Sequence, residues 1–136
     1  MRAEYLFSTQ NSSPVNFAAT LESRGAKVEN VIVVESHGAA DARSSFSNVG
    51  GDISAPGEDI LSALVSGYNT DSGTSQATPF VTAAAALIFA MRPDLSAKDV
   101  KKILILSAWP SPHSGRPPML DAAAAVRVAE KYKPSN

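Results

Sequence analysis

A serine at the junction of a small-residue loop and a long apolar segment is the residue best placed for chemistry. Residues 71–79 read Asp-Ser-Gly-Thr-Ser-Gln-Ala-Thr-Pro, and a nearly uninterrupted apolar run continues to Met91. The first N–H groups of a helix have no partner within it and the helix dipole is positive there, so both favour developing negative charge. A backbone N–H beside Ser75 can therefore bind the oxyanion of an acyl-transfer intermediate. A lone serine at a helix start is more commonly a simple N-cap, and this residue taken alone favours that role.

The other groups that a nucleophilic serine needs are scarce. Its hydroxyl requires a base, which is itself oriented by a carboxylate. The two histidines are His37, which follows a buried-strand pattern, and His113, which lies in a proline-rich segment, and we expect a structural role for each. The chain has no cysteine and no acidic cluster with calcium-ligand spacing, so we expect neither a metal nor a cofactor. Four aspartates are typical of turns: Asp41, Asp52, Asp59 and Asp71.

The order of hydrophobic patterns predicts an α/β fold with a mostly parallel sheet. Residues 31–34 form a continuous β-branched run, as in a strand buried on both faces of such a sheet. Too few strands are visible to receive three helices, so we expect part of a larger fold. Strands are predicted at 5–7 and 60–65 as well, short strands and turns within 38–57, a loop at 67–73, and irregular chain at 107–118. Helices are predicted at 75–91 with Pro79 near the start, from a Ser96–Asp99 capping box to 106, and from an N-cap at Asp121 to 133.

Length and composition describe an ordinary globular chain. It has 136 residues, 44% of them hydrophobic and 18% charged, with a net charge of -1, which gives no general attraction to nucleic acid or to an anionic membrane. The apolar run 77–91 is too short for a membrane span and predicts a buried helix. The N-terminus lacks the apolar stretch of a signal peptide, and the sequence indicates no compartment.

Several segments together resemble the subtilisin-like serine peptidases. Gly-Thr-Ser-x-Ala-x-Pro at 73–79, followed by an alanine-rich helix, is similar to the nucleophile segment of that family. The resemblance extends in the family's order from about residue 5 to residue 130. Its further segments are Arg-Ser-Ser-Phe-Ser-Asn-Val-Gly at 43–50, Ala-Pro-Gly-Glu-Asp-Ile at 55–60, and a glycine turn leading to Leu-Asp-Ala-Ala-Ala-Ala at 115–125. The resemblance implies that residues 1–136 are one partial peptidase domain, the C-terminal portion of a three-layer fold.

The resemblance assigns roles to two residues. Ser75 matches the nucleophile, and Asn11, 64 residues earlier, falls where the family places its oxyanion-hole asparagine. Thr9-Gln10 replaces the family's Ala-Gly before that asparagine, and a turn-supporting role for Asn11 stays open. Glu35-Ser36 replaces the usual Gly-Ala, and a carboxylate at this point must reach solvent or find a partner.

The family order of the catalytic triad is Asp, His, Ser, so both partners of Ser75 should precede Asn11, where only ten residues stand. The family's His-Gly-Thr-His motif does not occur, and we expect neither the catalytic Asp nor the catalytic His in this chain.

Three functions follow as alternatives. The chain is one part of a serine endopeptidase that acts on polypeptides once an N-terminal half completes it, or a non-catalytic remnant or binding module. The third is an esterase-like hydrolase that recruits His37 or His113. A doubly wound domain that lacks half its elements leaves an edge and apolar faces uncovered, so we expect the isolated chain to be aggregation-prone or partnered.

Overall fold

A three-stranded parallel sheet forms the base of the fold. The computed structural model describes residues 5–8 and 29–134. The strands β1 (Tyr5–Ser8), β2 (Val31–His37) and β3 (Ile53–Pro56) lie in the order β1-β2-β3. Residue Tyr5 pairs with Val31 at one end, and His37 pairs with Pro56 at the other. The β-branched run of β2 is buried along its whole length, and the predicted α/β fold with a mostly parallel sheet is confirmed.

Strands β4 (Ile60–Leu64) and β5 (Gly67–Asp71) form a separate antiparallel hairpin. The prediction of a loop at 67–73 is therefore wrong for most of that segment. Every residue of β5 is exposed, so the strand lacks the apolar alternation by which a half-buried strand is recognised. The hairpin delivers the chain directly to the helix that carries Ser75.

Three helices follow: α1 (Thr74–Met91), α2 (Ala97–Ser107) and α3 (Ala122–Lys131). The predicted start signals of α2 and α3 are confirmed. The Ser96 side chain accepts from the Asp99 N–H while the Asp99 side chain accepts from the Ser96 N–H. The Asp121 side chain accepts from the Ala124 N–H at 2.7 Å. The segment predicted as irregular, 107–118, is irregular from residue 108 onward except for a bridge between Trp109 and Met119, and Met119 also pairs with Ser54 of β3.

Helix α1 is central among the described elements, and it packs against β1, β2 and β3 and against α2 and α3. Its buried face forms the core with one face of β2 and β3; the helix contributes Ala77, Val81, Ala84, Ala85 and Ile88, and the strands contribute Ile32, Val34, Ile53 and Ala55. The opposite face of the helix is exposed, so the prediction of a buried helix holds for one face. By length and composition, α1 also satisfies the minimum for a membrane span, with a mean hydropathy of 1.3, as core helices of soluble proteins often do.

Pro79 lies near the start of α1, as predicted, in the second turn of the helix. In an α-helix the N–H of residue 79 would bond to the carbonyl of residue 75. Proline has no N–H, so the Ser75 carbonyl does not receive that bond.

The second face of the sheet carries buried polar groups. Glu35 is 1% exposed, its Oε1 accepts from the Gly51 N–H at 2.9 Å, and its Oε2 lies 3.5 Å from Nε of Arg116. The carboxylate at 35 has therefore found partners within the fold. Burial lowers the pKa of Arg116, although Glu35 opposes that change.

Candidate active site

Ser75 lies in the first turn of α1 with an exposed side chain. The helix begins after Gly73, which has an extended backbone and no side chain that could cap the helix. The Gly73 carbonyl accepts from the N–H groups of Gln76 at 3.0 Å and Ala77 at 3.3 Å. The first helical bonds thus skip Ser75, which is not the N-cap that the residue alone allowed.

Both polar groups of Ser75 that matter for acyl transfer are available. Within the part of the chain that the structure describes, neither its backbone N–H nor its hydroxyl makes a hydrogen bond. The N–H stands at the positive end of an 18-residue helix. A free donor at that end stabilises negative charge on an adjacent oxygen. The arrangement places an unbonded N–H donor beside an accessible hydroxyl.

The nucleophile segment is anchored to the sheet through Gly57, immediately after β3. The Gly57 carbonyl accepts from the Gly73 N–H at 2.8 Å, and the Gly57 N–H donates to the His37 carbonyl at 3.1 Å. A Cβ on Gly57 would lie 2.3 Å from Oγ of Ser36 and 2.7 Å from the Gly73 carbonyl oxygen. Only glycine therefore allows the start of α1 to approach the carboxyl ends of β2 and β3 this closely.

A cluster of buried serines lies beneath this anchor. The hydroxyls of Ser36 and Ser44 are 2.7 Å apart, and the Ser36 N–H donates to Oγ of Ser47 at 3.0 Å. All three serines are at most 2% exposed. Sequence reasoning gave Ser44, Ser47 and Gly57 no positioning role, although they stand in the motifs at 43–50 and 55–60. Ser36, at the end of β2, lies between the two motifs, and local sequence does not show that contact.

The hairpin end adds a carboxylate to the site. Oδ1 of Asp71 accepts from the Ser72 N–H at 2.8 Å, and its Oδ2 accepts from Nε2 of Gln76, the residue after Ser75, at 3.1 Å. The Ser72 hydroxyl in turn accepts from the Asp59 N–H at 2.9 Å. Residues 71–73 read Asp-Ser-Gly and form the turn between β5 and α1. Asp71 orients no histidine, so the predicted turn role agrees with its contacts.

The two histidines make contacts other than with Ser75. Nδ1 of His37 lies 3.1 Å from Oγ of Ser54, and the residue is 8% exposed. Burial lowers the pKa of His37, and Arg116 acts in the same direction, while Asp41 and Glu58 raise it. His113 is exposed and bonds only through its backbone N–H, to Oγ of Ser111 at 3.2 Å. Neither imidazole is hydrogen-bonded to Ser75.

Asn11 lies outside the described residues, so its predicted oxyanion role stays a prediction. Among residues 5–8 and 29–134, no group of three or more His, Asp or Glu side chains is arranged to hold a metal ion.

Comparisons with known proteins agree with the sequence motifs. The profile of the subtilase family, the S8 peptidases, matches residues 4–132. Alkaline serine exoprotease A of Vibrio alginolyticus is 43% identical over 86 residues, which cover 61% of this chain and 16% of that protein. Subtilisin DY of Bacillus licheniformis is 41% identical over 86 residues, covering 61% of this chain and 31% of that protein.

Solved structures give the same relationship at the level of the fold. The prenylagaramide maturation protease PagA superposes with a TM-score of 0.74 at 26% identity, over 94% of this chain and 50% of that one. A protease of Pseudoalteromonas arctica superposes with a TM-score of 0.68 at 33% identity, over 73% of this chain and 36% of that one. The chain thus spans less than a third of the two curated relatives above and about half of the PagA structure.

Proposed function

Because the chain belongs to the subtilase family, we propose that it is the nucleophile-bearing part of a serine endopeptidase, which cleaves peptide bonds through an acyl-enzyme on Ser75. The observation that carries the proposal is the exposed Ser75 at the head of α1, with its hydroxyl and N–H both unbonded within the described residues. The substrate class is polypeptide.

The proposed chemistry follows from that geometry. A base takes the proton of Oγ as this oxygen attacks the scissile carbonyl, and the carbonyl oxygen becomes an oxyanion. The Ser75 N–H donates to the oxyanion, and the side-chain amide of Asn11 is the proposed second donor. Collapse of the intermediate expels the amine and leaves an ester on Ser75, which water then hydrolyses. The base and its orienting carboxylate come from the remainder of a subtilase domain.

The second candidate is a non-catalytic remnant or binding module. The positions of the two histidines favour this candidate, because neither imidazole is hydrogen-bonded to Ser75 and that of His37 lies within hydrogen-bond distance of Ser54. A hydrolase that recruits His37 or His113 is disfavoured by the same contacts. In the remnant, Ser75 would be an ordinary surface serine.

Labelling by a fluorophosphonate, measured as intact mass, separates these candidates. We expect no adduct on the chain alone, and one adduct per chain when the Asp- and His-bearing part of a subtilase domain is supplied. Ser75→Ala should abolish the adduct, whereas Ser72→Ala, an exposed serine of the same turn, should keep it. Absence of an adduct in the completed protein would favour the second candidate, a non-catalytic remnant or binding module. An adduct on the chain alone that disappears in Ser75→Ala would mean that a base within this chain reaches the serine.

A further inference from the structure

His37 lies at the carboxyl end of β2, next to the anchor of the nucleophile segment. Its carbonyl accepts from the Gly57 N–H at 3.1 Å, and the Gly57 carbonyl accepts from the Gly73 N–H at 2.8 Å. The Gly73 carbonyl in turn accepts the first N–H groups of α1. Two hydrogen bonds therefore join the backbone of this histidine to the residue from which α1 and Ser75 start.

The imidazole of His37 is confined beside β3 and surrounded by charged groups. Only 8% of the residue is exposed, and Nδ1 lies 3.1 Å from Oγ of Ser54. Charged side chains act on the ring from three segments: Asp41 from the turn after β2, Glu58 from the connection after β3, and Arg116 from the segment before α3. Burial is the largest influence and lowers the pKa of His37, Arg116 lowers it as well, and the two carboxylates raise it. The folded site therefore holds the neutral imidazole better than the charged one.

Glu58 connects the charge of the imidazole with the anchor. This residue follows Gly57 directly, and its carboxylate lies against the backbone of Gly38, the residue after His37, where a Cβ would be 2.3 Å from Oε2. A buried cation needs a partner or water, so a proton on the imidazole draws this carboxylate towards the ring or drives the ring towards solvent. Either movement displaces one end of the hydrogen bond between the His37 carbonyl and the Gly57 N–H. Local opening is cheap here, because every residue of the adjoining strand β5 is exposed.

We propose that His37 is a proton-sensitive positioning residue, whose protonation loosens the anchor at Gly57 and displaces Ser75. The sign follows from linkage: an opened site with an ordinary imidazole binds the proton more tightly than the closed site, so acid favours the opened form. The anchor is therefore intact above the ordinary pKa of about 6.5, and it loosens as pH falls from there towards the lower pKa of the closed site. As regulation of peptide cleavage the proposal rests on the proposed function, whereas the proton link itself does not.

Amide hydrogen exchange of the full chain, followed by NMR, tests the anchor directly. The Gly73 N–H reports its bond to Gly57, and the Arg92 N–H, bonded to the Ile88 carbonyl at 2.8 Å at the other end of α1, is the internal reference. Protection is taken relative to the exchange rate of an unstructured chain at the same pH. Between pH 7.5 and pH 5.5 we expect the protection of Gly73 to fall about three- to tenfold, tenfold being the limit for one proton on an imidazole of ordinary pKa. The protection of Arg92 should change much less.

The two histidines of the chain provide a matched pair of variants. His37→Gln retains a side-chain amide for the hydrogen bond to Ser54 but does not titrate, so it should remove the pH dependence at Gly73. His113→Gln changes the exposed histidine and should keep it. In the wild type, the chemical shifts of the Gly73 amide and of the His37 ring should titrate with one midpoint below 6.5, a result that does not require either variant to fold. The proposal is overturned by an equal loss of protection in His37→Gln, by an equal loss at Arg92, or by a Gly73 shift that does not follow the His37 midpoint.

Fluorophosphonate labelling of the completed protein separates the anchor from the chemistry. Dividing the labelling rate of the wild type by that of His37→Gln at the same pH cancels the titration of the supplied base. We expect this ratio to fall at least twofold from pH 7.5 to pH 5.5, because the loosened anchor displaces Ser75. A constant ratio would refute the positioning role. Absence of an adduct at both pH values, with the exchange result intact, would refute the proposed function and leave the proton-sensitive anchor standing.

Discussion

The contact at Gly57 predicts that a single added methyl group there disturbs the start of α1. In Gly57→Ala the new Cβ would lie 2.3 Å from Oγ of Ser36 and 2.7 Å from the Gly73 carbonyl oxygen, whereas ordinary contact begins at 3.4 Å, so the two shortfalls are about 1.1 Å and about 0.7 Å. The Ser36 hydroxyl cannot retreat freely, because it is buried and bonded to Ser44. The Gly73 carbonyl is backbone and accepts the first bonds of the helix.

Overpacking of this kind typically costs about 1–3 kcal/mol in the free energy of unfolding. For a domain of this size each kcal/mol corresponds to a fall in Tm of about 3–5 °C. Gly38→Ala is the matched control, because its Cβ would also meet an oxygen at 2.3 Å. That oxygen belongs to the exposed side chain of Glu58, which can swing away, so we expect a change within about 0.5 kcal/mol.

Urea unfolding of the wild type and both variants, followed by circular dichroism, measures the difference. Both substitutions replace glycine by alanine, so their effects on the entropy of the unfolded chain largely cancel. Equal midpoints for Gly57→Ala and Gly38→Ala would refute the reasoning, since they would mean that the anchor yields as easily as a surface side chain.

Three further predictions concern the polar groups of the fold. Arg116→Met leaves the carboxylate of Glu35 buried without its cation, and we expect the free energy of unfolding in urea to fall by about 3–5 kcal/mol. Adding Glu35→Gln to this variant should recover part of that loss. A double variant less stable than Arg116→Met would contradict the pairing. Burial holds the pKa of His37 below its ordinary 6.5, so the native chain binds fewer protons than the unfolded one. The free energy of unfolding should therefore fall as pH drops below about 6.5 towards the native pKa. Urea midpoints measured across that pH range should fall less in His37→Gln than in the wild type. If the midpoints of both proteins fall in parallel, this histidine is not the cause. Ser96→Ala removes the side-chain acceptor of the Asp99 N–H and should cost about 1 kcal/mol by thermal unfolding, while an unchanged Tm would show that the cap contributes nothing.

Local chemistry explains which parts of the fold could be predicted. The β-branched run of β2, the capping box of α2 and the N-cap at Asp121 are signals that neighbouring residues carry by themselves. The exposed hairpin strand β5 carries no such signal, because its bonds are backbone bonds to β4. The start of α1 was predicted at residue 75 and lies at Thr74, a difference of one residue that is usual for helix boundaries.

The candidate site divides in the same way. Ser75 was singled out by the whole segment at 73–79 and its family resemblance; the structure exposes its side chain in the first turn of α1, and its role as nucleophile stays a prediction. The anchor through Gly57 and Ser36 joins segments that are distant in sequence, as does the pairing of Glu35 with Arg116 across 81 residues. Such contacts arise only when the sheet has assembled, so no local pattern contains them.

The order of the elements along the chain has a consequence for biosynthesis. Strands β2 and β3 leave the ribosome before α1, the helix that covers their apolar face. The 35 residues from the end of β3 at Pro56 to the end of α1 at Met91 take about 2–7 s to translate. During that interval the apolar side chains of β2 and β3 are uncovered and can bind chaperones or other nascent chains. The yield of folded protein is therefore expected to depend on translation speed and on chaperone supply while residues 57–91 are being made.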